Sequence, residues 1–132
     1  MARTTGGRWR SVGAVFAGLL LNVVLATAID AVLHATGVYP PPGQPMSDAL
    51  FLVATGYRLA IGVASGFLTA RLAPARPMRH ALVLGAIGLA LGLAGALAMW
   101  NVGPHWYPLA LVVTAVPCCW LGARLSGRAA ER

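Results

Sequence analysis

Asp30 and Arg58 are opposite charges set inside apolar stretches, where charge is expensive. An arginine near the middle of a membrane helix costs at least about 2.5–3.5 kcal/mol, so it faces protein, finds a partner, or both. Its guanidinium does not escape by losing a proton. Arg58 lies roughly eight residues, ~12 Å, into its apolar run. Asp30, late in the preceding run, is the only acid near an apolar segment on the same side, within reach of Arg58 by snorkelling outward.

Helical spacing supports the match. Asn22, Thr27, Asp30 and His34 fall within an arc of about 140° on one helix. Thr55, Arg58, Gly62, Ser65, Gly66 and Thr69 share an arc of about 100° on the next. Two polar or small faces on neighbouring helices predict one interior seam. Two chemistries fit it. As a functional site, the seam binds or passes an ion, a proton or a small polar solute. As a structural device, Asp30–Arg58 locks two helices together. A paired charge is already satisfied, which favours the structural reading.

His34 follows Asp30 by four residues, a spacing that suits two metal ligands or a carboxylate orienting an imidazole. Asp48 and His105 fall at the same membrane face and would complete a zinc-like cluster. No ligand pair repeats, however, and no H-E-x-x-H occurs. A single Asp–His hydrogen bond is the expected outcome, with no metal and no cofactor. Cys118 and Cys119 are adjacent, so on a helix they point about 100° apart, which disfavours a disulfide between them. Their apolar surroundings blunt thiol reactivity. No nucleophile–base constellation is present, and no enzymatic activity is expected.

Four apolar stretches must position these residues, at approximately 12–36, 49–70, 81–100 and 107–125. Each is long enough to cross a hydrocarbon core, which takes about 20 helical residues. Hydrophobic residues make up 58% of the 132-residue chain and charged residues only 10%, against about 25% charged in soluble domains. The expected fold is all-α: one integral membrane domain over 1–132, an up-down four-helix bundle with sequential helices as antiparallel neighbours.

Nine of the ten arginines occur in three groups: Arg3, Arg8 and Arg10; Arg71, Arg76 and Arg79; Arg124, Arg128 and Arg132. The connections 37–48 and 101–106 have no Lys or Arg. Arginine-rich short loops stay cytoplasmic, so both termini are expected inside. The +7 charge therefore marks a membrane boundary facing anionic headgroups rather than a nucleic-acid surface. All ten cations are Arg, which suggests a GC-rich bacterial genome and an inner-membrane location. Ala26-Thr27-Ala28 resembles a signal-peptidase site, but the apolar run is too long for a signal peptide and resumes past Asp30, so the first helix is expected to be retained.

Breakers divide the chain. Gly37 ends the first helix, and the proline-rich 38–45 segment is expected to lie along the headgroups with Tyr39 as an interfacial anchor. Ser47 is the expected N-cap of the second helix, with Asp48 in its first turn. Pro74 and Pro77 bracket an inner turn over 72–78. Trp100, Trp106 and Tyr107 form an aromatic belt around the second outer turn. Pro117 is expected to kink the fourth helix. The third helix carries Gly85, Gly88, Gly92 and Gly95 on one face, and the second carries Gly62 and Gly66. Such stripes allow close backbone approach, either within the chain or between copies.

Thr69-Ala70-Arg71-Leu72 echoes Gly122-Ala123-Arg124-Leu125. Gly37-Val38-Tyr39-Pro40 likewise echoes the segment from Gly103 to Pro108. These echoes suggest two weakly similar hairpins related by an axis along the membrane normal.

The residues Asp30-Ala31-Val32-Leu33-His34-Ala35-Thr36-Gly37-Val38-Tyr39-Pro40, then Tyr57-Arg58 and Ala70-Arg71-Leu72-Ala73-Pro74, give the chain its most distinctive texture. With Arg79-His80-Ala81 and Trp106-Tyr107-Pro108, the pattern resembles a group of small four-helix bacterial inner-membrane proteins. The resemblance implies the fold and carries no activity or site residues. The expected function is that of a structural or accessory membrane component, with the bilayer as environment and a second copy or another membrane protein as partner. The alternative is an oligomeric translocator using the Asp30/Arg58 seam.

Overall fold

The computed structural model describes residues 5–41, 44–101 and 103–128. Arg3 and Arg132 of the terminal arginine groups, Pro42 and Gly43 of the connection after the first helix, and Val102 of the connection after the third lie outside the described residues. Four helices follow in order: α1 (Thr5–Ala35), α2 (Asp48–Leu72), α3 (Pro77–Ala98) and α4 (Trp106–Leu125). All four are long and apolar enough to cross a membrane.

The elements start and stop for local reasons. α1 begins before the apolar run and includes Arg8, Trp9 and Arg10, because arginine is a good helix former and its charge does not end a helix. It ends at Gly37, whose φ of 80° is the left-handed conformation glycine adopts without a Cβ penalty. The reversal sends the Tyr39 N–H back to the Leu33 carbonyl at 3.0 Å. Ser47 caps α2, its hydroxyl accepting from the Leu50 N–H at 3.4 Å, and Asp48 occupies the first turn. Pro77 is the first residue of α3 and not the far side of a turn, so the third helix starts four residues earlier than expected. Proline fits there because a first-turn N–H has no intrahelical acceptor.

The packing order departs from the sequential arrangement expected of an up-down bundle. α2 packs most extensively against α4, α4 against α3, and α1 against α2. α2 and α3 meet only modestly although a short turn joins them, and among the described residues α1 does not touch α4. Around the bundle the order is therefore α1, α2, α4, α3. Contacts fix the directions. Gly62 faces Cys118 and Gly66 faces Cys119, while Gly122 fits between Val63 and Phe67, so α2 and α4 run parallel. Gly85, Gly88 and Gly92 face Val116, Ala115 and Val112, so α3 and α4 are antiparallel. Leu84 of α3 reaches Gly18 of α1, closing the ring on its fourth side.

Small residues make the interior. Ala70, Ala81 and Ala123 are fully buried, whereas Phe16, Leu20, Val23, Leu91, Leu97 and Val113 are exposed. A water-soluble domain buries its large apolar side chains. Here they point outward and the backbones approach through small residues, the packing that lipid favours.

Two arginines join the parallel ends of α2 and α4. Arg128 Nη1 donates to the carbonyls of Ala70 (2.8 Å), Arg71 (2.9 Å) and Ala73 (2.9 Å). Arg71 Nη1 donates in return to the Ser126 carbonyl at 3.3 Å. The last turn of α2 and the segment following α4 thus each supply a cation to the carbonyl-rich C-terminus of the other helix, where the dipole is negative. The opposite end of the bundle, with Tyr39, Trp100 and Trp106, is its aromatic end.

Candidate functional site

Near the aromatic end, α1 and α2 bring together the two charges set inside apolar stretches. Arg58 Nη2 donates to Asp30 Oδ2 at 2.6 Å. The Tyr57 hydroxyl donates to the other oxygen, Oδ1. Tyr39 and Tyr57 hydroxyls lie 3.0 Å apart. Since the single Tyr57 proton goes to Asp30, Tyr39 donates to Tyr57. The result is a directed chain, Tyr39 to Tyr57 to Asp30, closed on its far side by Arg58. The Tyr107 hydroxyl approaches the guanidinium from α4. Arg58 Nε is buried and has no hydrogen-bond acceptor among the described residues.

Other residues of the expected seam are distributed differently. Asn22 is half-buried, but Thr27 and His34 are exposed. The inward ridge of α1 runs through Ala14, Gly18, Asn22, Ala26 and Asp30, one every four residues, and leaves Thr27 and His34 to its side. His34 Nδ1 bonds the Asp30 backbone carbonyl at 2.8 Å, not the carboxylate, and its ring meets Tyr39 edge-on at 5.2 Å. The expected carboxylate–imidazole pair is therefore not formed. Both oxygens of Asp30 are already engaged by α2, and its backbone carbonyl, one helical turn before His34, takes the ring instead. Thr55 turns back to the Phe51 carbonyl of its own helix at 2.8 Å.

The glycine faces also divide. Ser65 and Thr69 face α1, with Thr69 Oγ1 donating to the Ala14 carbonyl at 3.0 Å. Gly62 and Gly66 face α4 and not the Asp30 seam. On α3, Gly85, Gly88 and Gly92 pack within the chain against α4, whereas Gly95 has no neighbour within 4 Å of an added Cβ.

Tyr39 is only 5% exposed. It is not the headgroup anchor read from its position, because the reversal at Gly37 folds it inward onto Tyr57. Spacing could have identified Tyr57, which directly precedes Arg58. Tyr39 and Tyr107 gave no such signal. His105 stacks on Trp100 at 3.9 Å, away from His34. Among the described residues, no three His, Cys, Asp or Glu side chains gather as a metal site. Cys118 and Cys119 are free thiols.

Two cavities meet at Arg58. The outer one, about 280 Å³, lies among α2, α3, α4 and the turn between α3 and α4, walled by Phe51, Gly95, Met99 and Tyr107. The deeper one, about 310 Å³, is walled by all four helices, with Asn22, Ser65 and Thr114 as its polar residues besides Arg58. Gly92 and Leu111 border both. Val23 and Leu91, both exposed, stand at the rim of the deeper cavity.

Fold and site together define a class: a four-helix protein with four candidate membrane spans and an ion pair between two of them. No family model, curated protein or solved structure matches the chain.

Proposed function

We propose that the chain is a structural or accessory component of a bacterial inner membrane, without catalytic activity and with both termini cytoplasmic. One observation carries this reading. Both oxygens of Asp30 are taken by α2, one by Arg58 and one by Tyr57. The acid that would otherwise bind and release a proton or cation is spent on holding α1 to α2. Charge distribution supports the orientation, since the parallel ends of α2 and α4 carry Arg71, Arg124 and Arg128. Reporter fusions after residues 44 and 103 should read periplasmic, and fusions after residues 75 and 128 cytoplasmic. A cytoplasmic reading at residue 44 would reverse the orientation.

A second reading, an oligomeric translocator of an ion, proton or small polar solute, draws on the meeting of two cavities at Arg58. Reconstitution separates the two. Proteoliposomes carrying the wild-type protein should show no proton flux above empty vesicles under an imposed pH gradient. A flux present in wild type and lost in a folded Asp30→Asn variant would assign the seam to transport.

A further inference from the structure

The outer cavity differs from the rest of the interior because nothing in the packing accounts for it. Elsewhere on α3 a missing side chain lets α4 approach: an added Cβ meets Val116 Cα at 3.0 Å from Gly85 and Val112 Cγ2 at 3.2 Å from Gly92. Gly95, which is exposed, has open space instead and lines the cavity. Glycine in a helix costs about 1 kcal/mol relative to alanine, and here no close approach offsets it. At this position the missing side chain leaves the cavity wall open.

Arg58 and Tyr107 are the polar side chains bordering that volume, and the pairing behind them is unbalanced. Arg58 has five N–H donors, of which Asp30 accepts from Nη2 and Nε has no acceptor. Asp30, by contrast, has each oxygen engaged. Arg58 therefore carries more N–H donors than the Asp30 carboxylate and the Tyr107 hydroxyl accept from, while the charges of the site already cancel. An entering carboxylate would bring an uncompensated anion into a low-dielectric seam. A carbonyl oxygen would accept a spare N–H and add no charge. The remaining walls (Phe51, Ala96, Met99, Pro108, Leu111) are apolar.

We propose that the outer cavity is a binding site for an uncharged apolar molecule bearing a carbonyl group, with the oxygen at Arg58 and Tyr107 and the body against α3 and α4. A volume of about 280 Å³ lies at the small end of ligand pockets, which run from ~300 Å³ upward. It holds one or two rings, or the carbonyl-bearing segment of a longer chain. The carbonyl comes either from a free molecule, such as a ketone or quinone, or from the ester of a bilayer lipid.

Benzophenone is a suitable probe, being uncharged, apolar, carbonyl-bearing and photoreactive towards C–H bonds. The full-length protein in nanodiscs should give saturable photolabelling that peptide mapping places on Met99 and Leu111. Diphenylmethane, which lacks the oxygen, should compete about fivefold less well than unlabelled benzophenone, the equivalent of one net hydrogen bond. Gly95→Leu should abolish the saturable component while leaving thermal stability unchanged or higher, since the side chain enters open space. Ester-linked and ether-linked phospholipid nanodiscs separate the sources. Suppression by ester lipids alone identifies a lipid carbonyl, and equal labelling in both identifies a free molecule. Labelling spread over exposed residues and unchanged by Gly95→Leu would overturn the site. Equal competition by diphenylmethane would overturn the role of Arg58 in carbonyl recognition.

Discussion

Gly122→Ala is expected to remove most of the folded protein, although it adds a single methyl group. The new Cβ would lie 2.5 Å from the Phe67 nitrogen and 3.0 Å from the Gly66 carbonyl carbon, and closer still to the Val63 carbonyl oxygen. These are backbone atoms, so no rotamer change relieves the clash, and α2 and α4 must separate along their most extensive contact. Gly66→Ala meets the Cys119 backbone at 2.5–2.9 Å and should behave alike. Overpacking of this kind costs about 3 kcal/mol or more where neighbours cannot yield. Gly95→Ala is the control, since its methyl meets nothing within 4 Å and alanine is the better helix former. Gly88→Ala, 3.7 Å from the Ala115 methyl, should be close to neutral. Thermal unfolding in mild detergent ranks the variants. If Gly122→Ala proved as stable as Gly95→Ala, the parallel packing of α2 on α4 would be wrong.

Asp30→Asn and Arg58→Gln are each expected to destabilise the protein strongly, and their combination to recover more than half of the combined loss. Removing one partner leaves the other charge in the seam uncompensated, which costs about 3–5 kcal/mol for a buried pair. The side chains here are 31% and 30% exposed, so the lower end of that range is expected. Tyr57→Phe removes a neutral donor to the carboxylate and should cost less, about 1.5–2 kcal/mol. Tyr39→Phe should cost least, because Tyr39 reaches Asp30 only through Tyr57. Folded yield and unfolding temperature, measured as a double-mutant cycle, give the coupling directly. Strictly additive losses would mean that the pair does not hold α1 to α2.

The spans, the arginine pattern and the Asp30–Arg58 partnership were legible in the amino-acid sequence. Each rests on a quantity that is local or nearly unique. Hydropathy accumulates over about 20 residues without reference to any other helix. Gly37 and Ser47 act on the chain ends beside them. Of the two acids expected on the Arg58 side, Asp30 alone lies within an apolar stretch, so its partner followed by elimination. The glycine stripe on α3 marked a close contact, but the same stripe serves any partner, and only the fold shows Gly85, Gly88 and Gly92 against α4 while Gly95 lines a cavity.

Helix order was not legible. A face computed from 100° per residue states how one helix is rotated about its own axis, not which neighbour that face meets. Gly62 and Gly66 share an arc with Arg58, yet they serve α4 while Arg58 serves α1, because α2 is packed on both sides. Gly18 and Gly122, the tightest approaches besides Gly66, belong to no glycine repeat. Tyr39 and Tyr107 carry the signature of interfacial residues, an aromatic body with a polar tip. Whether that tip meets a headgroup or a guanidinium depends on where the chain reverses. At Gly37 it reverses inward, so tertiary structure converts a boundary tyrosine into part of a charge network.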